Sequence, residues 1–263
     1  MKSRTSFCNG TILKKNVTRF WPIWALITLI LMSSFPLPLA NVSVQDKIDD
    51  LLWMTQNELM PICVIFSILI AGCIFGYLHK SRSAIMMHSF PLNRGCLYRT
   101  GLLAGLLVFI VPWTASILLV TEIPYELLAS VWLFGVLRYL FTSGRAVFCM
   151  LISGKTLASV VLYFCTFISP LLMVLFLEVA TDPLLYGITS APIVSEEVET
   201  VNLSPGESYA QYAFRNSFPE VITIALFGIG LLFFAGWLYR KRRMENAGNI
   251  IAYKRQWRFT NIL

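Results

Sequence analysis

The sequence predicts an all-α polytopic membrane protein with six transmembrane helices and both termini in the cytoplasm. Three observations point there. Of 263 residues, 57% are hydrophobic and 13% charged, against about 25% charged in a typical soluble domain. Six apolar runs reach the roughly 17–25 residues that a helix needs to cross a bilayer. Charge sign changes from one connecting segment to the next. The mean hydropathy of +0.69 agrees. A net charge of +7 would suggest nucleic acid in a soluble chain, but basic cytoplasmic loops account for it here and no nucleic-acid partner is expected.

In order, the predicted spans are residues 20–40, 60–78, 101–120, 125–152, 157–177 and 221–238. The first follows basic residues without a small-residue cleavage site, so it reads as a retained span and not a signal peptide. The fourth carries Arg138 and is long. Splitting it would strand 146–154, which is too short to cross, so one long or tilted helix is preferred. Pro112 and Pro170 should bend the third and fifth spans.

Placing the N-terminus inside sorts the charges. The cytoplasmic side receives Lys2, Arg4, Lys14, Lys15 and Arg19, the loop residues Lys80, Arg82, Arg94 and Arg99, then Arg145, Lys155 and the basic tail. Only Lys47 and Arg215 fall outside. Every acidic residue except Glu245 is outside. An odd number of spans would break that alternation. The predicted connections are outside loops 41–59 and 179–220, a cytoplasmic loop 79–100 and a cytoplasmic tail 239–263, all in one transmembrane domain of the cell membrane.

Within the first outside loop, Val44, Ile48, Leu51 and Leu52 fit helical spacing and suggest an amphipathic helix on the outer surface. Tyr209, Tyr212 and Phe214 in the second suggest an aromatic belt. The six cysteines show no metal spacing and read mostly as small buried apolar residues. Gly154-Lys155-Thr156 ends like a phosphate-binding loop, but Cys149 stands where the first glycine belongs, and the segment joins two apolar helices instead of following a strand. It reads as a helix end at the cytoplasmic face. His79 and His88 have no ligand partners at metal spacing, and no span carries a deep carboxylate. No cofactor, no metal site and no catalytic residue is expected, so the energy for any transport must come from another protein.

Arg138 is the one plainly intramembrane charge in this reading. A guanidinium at mid-bilayer costs at least roughly 2.5–3.5 kcal/mol. Two readings stay open: it lines a translocation or partner groove, or it snorkels towards the cytoplasm. Arg145, seven residues on, shares its helix face.

Two stretches carry a resemblance. "MMHSFPLNRGCLYRTGLLAG" is similar to the H-S-x-P-x-x-R stretch before the third span in permeases of type-2 ABC transporters from Gram-positive bacteria. "LYRKRRMENAGNIIAYK" (238–254) resembles the stretch after their sixth span. With the six-span layout, the likeness covers nearly the whole chain. It implies a permease subunit driven by a separate cytoplasmic ATPase and paired with a second permease copy or homologous half. In such proteins the first cytoplasmic loop docks in a cleft of the ATPase, a role that would fall on His88, Ser89, Pro91 and Arg94. Arg242, Glu245 and Gly248 match the tail motif and imply a cytoplasmic contact. Many relatives continue into a second half where this sequence ends at Leu263, which suggests a short form, one half of a pair or a truncated product. The expected function is an ATP-driven exporter of a hydrophobic or amphipathic substrate. The alternative is a non-transporting sensor or assembly scaffold that binds peptides through its outer loops; an intramembrane enzyme is disfavoured.

Overall fold

A computed structural model describes residues 10–80, 86, 93–184 and 209–241. These are almost wholly helical, with no strand among them. The helices are α1 (Gly10–Arg19), α2 (Trp21–Ser34), α3 (Pro36–Leu39), α4 (Val44–Asn57), α5 (Leu59–Phe75, continued by a 3₁₀ turn over Gly76–His79), α6 (Arg94–Leu118), α7 (Tyr125–Ile152), α8 (Thr156–Leu184) and α9 (Tyr209–Lys241). Among the described residues, five stretches are long and apolar enough to cross a membrane: Trp21–Leu39, Leu59–His79, Arg94–Leu118, Tyr125–Ile152 and Ala210–Lys241. The chain is therefore built for a membrane. The fifth predicted span lies on α8, whose described apolar part runs Thr156–Pro170.

Local chemistry sets the helix ends. Asn93 caps α6 by accepting from the Gly95 N–H, and Ser43 caps α4 by accepting from the Asp46 N–H, each satisfying an orphan donor of the first turn. Pro124 sets the start of α7. The turn at Ser153, Gly154 and Lys155 separates α7 from α8, where the Ser153 hydroxyl accepts from the Lys155 N–H. Gly154-Lys155-Thr156 is thus a helix-to-helix turn, as the sequence implied.

Side-chain pairs fix the direction of each helix. Phe134 meets Phe218 and Phe148 meets Phe234, so α7 and α9 run the same way. Phe35 meets Trp113, while Phe20 and Leu97 line one cavity at the opposite end, so α2 and α6 are parallel. Gly101 faces Ile74 and Gly105 faces Ile70, which sets α6 antiparallel to α5. His79 contacts Thr156 and Ser67 contacts Tyr163, which sets α8 antiparallel to α5 as well. Long helices alternate along the chain, with α4 leading into α5. Arg19, Lys80, Arg94, Lys155 and Arg240 gather at one end of the bundle, and Asp46, Glu122 and Glu126 at the other.

The tightest crossing is between α7 and α9. A Cβ on Gly144 would strike the Gly228 carbonyl, and one on Gly228 would sit 2.5 Å from Phe141 Cα. Only the absence of both side chains lets the two backbones touch. Gly135 does the same service for a side chain: a Cβ there would stand 2.5 Å from the Trp113 ring. That indole is fully buried and donates from Nε1 to the Trp132 carbonyl at 3.1 Å.

Several boundaries differ from those the sequence predicts. α6 begins at Arg94, so residues 94–100 of the predicted cytoplasmic loop are helix. α9 begins at Tyr209, twelve residues before the predicted sixth span. Its first turns bury Phe214 against Phe134, ring centroids 4.9 Å apart, so Phe214 packs in protein and not in an aromatic belt. α4 forms as predicted, but Leu51, Leu52 and Thr55 are fully buried against the bundle instead of facing lipid.

Candidate functional site

The basic end of the bundle is where the predicted loop attaches. His88, Ser89 and Pro91 lie outside the described residues, as do Arg242, Glu245 and Gly248. The loop's two anchors are described. At its start, buried His79 places Nε2 3.1 Å from the Met150 carbonyl and Nδ1 3.0 Å from the Thr156 hydroxyl. A carbonyl only accepts, so Nε2 carries a proton and donates to Met150, while Nδ1 pairs with the Thr156 hydroxyl. His79 therefore joins the end of α5 to both α7 and α8.

At the loop's far end, Arg94 is exposed and donates from Nη1 to the Arg240 carbonyl at 3.4 Å. One turn on, the buried Tyr98 hydroxyl donates to the Leu232 carbonyl at 2.7 Å. The Tyr98 ring packs on Phe75 and Tyr239 with centroids 5.8 and 5.5 Å apart. The Tyr239 hydroxyl shares a 2.7 Å hydrogen bond with Tyr77. Tyr98 is thus the hub where α5, α6 and α9 meet. The sequence pointed to Arg94 and, by helical spacing, put Tyr98 on its face; that Tyr98 is the buried hub appears only in the packing.

Beside these anchors lies a cavity of about 460 Å³, walled by Phe20, Ile74, Phe75 and Leu97 and edged by Asn16, Arg19, Lys80 and Thr156. A second groove, of about 620 Å³, opens between α6, α7 and α9.

Arg138 turns towards the end of α4. It donates from Nη1 to the Thr55 carbonyl at 3.2 Å and to the Gln56 carbonyl, and its guanidinium lies 4.6 Å over the Phe134 ring. Those carbonyls end α4, where a helix carries orphan acceptors and partial negative charge. Arg138 is the C-terminal cap of α4.

Arg145 is held inside the bundle. The sequence counts it with the cytoplasmic charges; the residue is only 9% exposed, inside α7. Its guanidinium lies among the rings of Phe141, Tyr163 and Phe167, 5.1–5.9 Å from each centroid, and donates from Nη2 to the Thr166 hydroxyl at 3.2 Å. A shared face with Arg138 does not give shared partners, because one arginine turns to α4 and the other to α8.

At the acidic end, Lys47 is nearly buried and pairs with Glu122 at 2.7 Å. The Lys47 ammonium holds the Glu122 carboxyl below its ordinary value of 4.5, by its hydrogen bond first and its charge second. Glu122 has φ 73°, in the left-handed region where a side chain is strained.

No family model, curated protein or solved structure matches this chain.

Proposed function

We propose that the protein is the membrane permease of an ATP-driven exporter, a six-span subunit with both termini in the cytoplasm, coupled through residues 79–100 to a separate cytoplasmic ATPase. The observation that carries this reading is the double anchoring of that loop. His79 ties one end to α7 and α8, and Arg94 with Tyr98 ties the other to α9. Work done on the loop from outside the membrane therefore reaches α5 and α6, which carry it, and α7, α8 and α9 within one side chain of its attachment points. The alternating helix directions and the gathering of cations at one end support six spans with the basic end inside. The motif resemblance supplies the kind of partner.

Co-purification with an ATPase carrying a full phosphate-binding loop, followed by ATP hydrolysis measurements, tests the reading. Arg94→Glu and Pro91→Gly are expected to uncouple hydrolysis from the permease while leaving it folded. An ATPase that never co-purifies, together with variants that change nothing, would overturn it. In a sensor or scaffold, these loop substitutions leave peptide binding at the acidic end intact and no ATPase is recruited.

A further inference from the structure

We infer that the groove between α6, α7 and α9 is a binding site for an anionic membrane phospholipid, with the phosphate held over Gly95. The point where a Gly95 Cβ would stand lies 3.6 Å from Arg99 Nη2 and 3.6 Å from Arg240 Nε. Two guanidiniums converge on one glycine face. Arg99 is oriented for this by its own Nε, which donates to the Gly95 carbonyl at 3.1 Å. Lys241 Nζ lies 3.8 Å over the ring of Trp237, which lines the same groove. A phosphodiester over this face can accept from both guanidiniums at once.

The groove itself chooses a lipid over a free anion. Behind the cations its 620 Å³ are walled by Tyr98, Leu102, Leu140, Ile229, Phe233 and Trp237. Inorganic phosphate would fill the mouth and leave that apolar wall uncovered, whereas an acyl chain covers it. The cations stand at the basic end, and basic pockets between spans on the cytoplasmic side suit anionic headgroups. A second copy docked here about a two-fold axis would set Arg99 and Arg240 against their own images, which charge disfavours. The site stands on this geometry alone and does not depend on the exporter reading.

The test is native mass spectrometry of the full-length protein in neutral detergent, titrated with phosphatidylglycerol, with phosphatidylcholine of the same chains, with glycerophosphoglycerol and with inorganic phosphate. Phosphatidylglycerol is expected to bind at one site and the other three to bind far more weakly. Arg99→Gln and Arg240→Gln should each weaken it about fivefold. Ile229→Trp should weaken it by filling the apolar part without touching a charge, so the result does not hang on one pair of variants. Lys14→Gln with Lys15→Gln, which removes two charges from α1, should leave binding unchanged. Equal binding of phosphatidylcholine overturns the site, as does a Lys14/Lys15 pair that costs as much as the arginines. Equal binding of inorganic phosphate or glycerophosphoglycerol overturns the lipid and leaves a bare anion site.

Discussion

At the scale of single residues, Arg138 shows how a costly charge is made structural. Its guanidinium serves the last carbonyls of α4 and rests on Phe134. Arg138→Leu strands those acceptors and should cost about 1–3 kcal/mol. Arg138→Lys keeps the charge but loses the planar stack and should fall between. Denaturation in detergent micelles measures both, and a leucine variant as stable as the parent would remove the capping role. Glu122 gives the pH prediction. Because its folded pKa is depressed below 4.5, its contribution is complete above that value and is lost as pH falls through the lower folded one. Melting temperature should therefore drop on acidification in the parent, while Glu122→Gln, less stable at neutral pH, should show a smaller drop. Identical acid slopes in the two proteins would count against the pair. Sequence inspection found Arg138 because a charge inside an apolar run is conspicuous. It missed the Lys47–Glu122 pair, because partners 75 residues apart meet only once the helices are packed.

At the scale of elements, the α7–α9 crossing allows a contrast within one helix. Gly228→Ala and Gly144→Ala force two backbones apart and should each cost about 1–3 kcal/mol, as overpacking does. Gly230→Ala, two residues away with nothing within 4 Å of its Cβ position, should be neutral or slightly stabilising. Thermal unfolding of the three variants decides it; equal gains in all three would show that helix propensity and not the crossing sets the effect. Legibility also divides at this scale. α7 matched its predicted bounds, 125–152, because Pro124 and Gly154 punctuate a continuous apolar run. The early start of α9 was missed because residues 209–220 are polar in average composition. Yet Ala210, Ala213, Phe214, Ser217, Phe218 and Val221 repeat at helical spacing, and that periodicity was the available signal. α6 reached back to Arg94 for a similar reason: its first turns carry arginines on one side and the buried Cys96, Leu97 and Tyr98 on others, and hydropathy averages the two away.

At the scale of the whole molecule, direction and charge agree. Single-cysteine labelling in intact cells, on a cysteine-free background, should tag position 125 from outside and position 155 only after permeabilisation. Both side chains are exposed. Labelling of both positions from the same side would contradict the six-span arrangement. The overall class was legible because composition, run length and charge asymmetry are one-dimensional properties. The groove over Gly95 was not, since it depends on where Arg240 arrives after crossing the bundle.

The contact of Gly144 with Gly228 also has a mechanical meaning. Two rods touching at bare backbone form a pivot, and α9 extends unequally on either side of it. At 1.5 Å per residue, the arm to Lys241 is about 20 Å and the arm to Tyr209 about 28 Å. Turned about that pivot, α9 is a lever whose basic end is the short arm. A sideways displacement delivered through Arg94 at the short arm emerges at the acidic end enlarged about one and a half times.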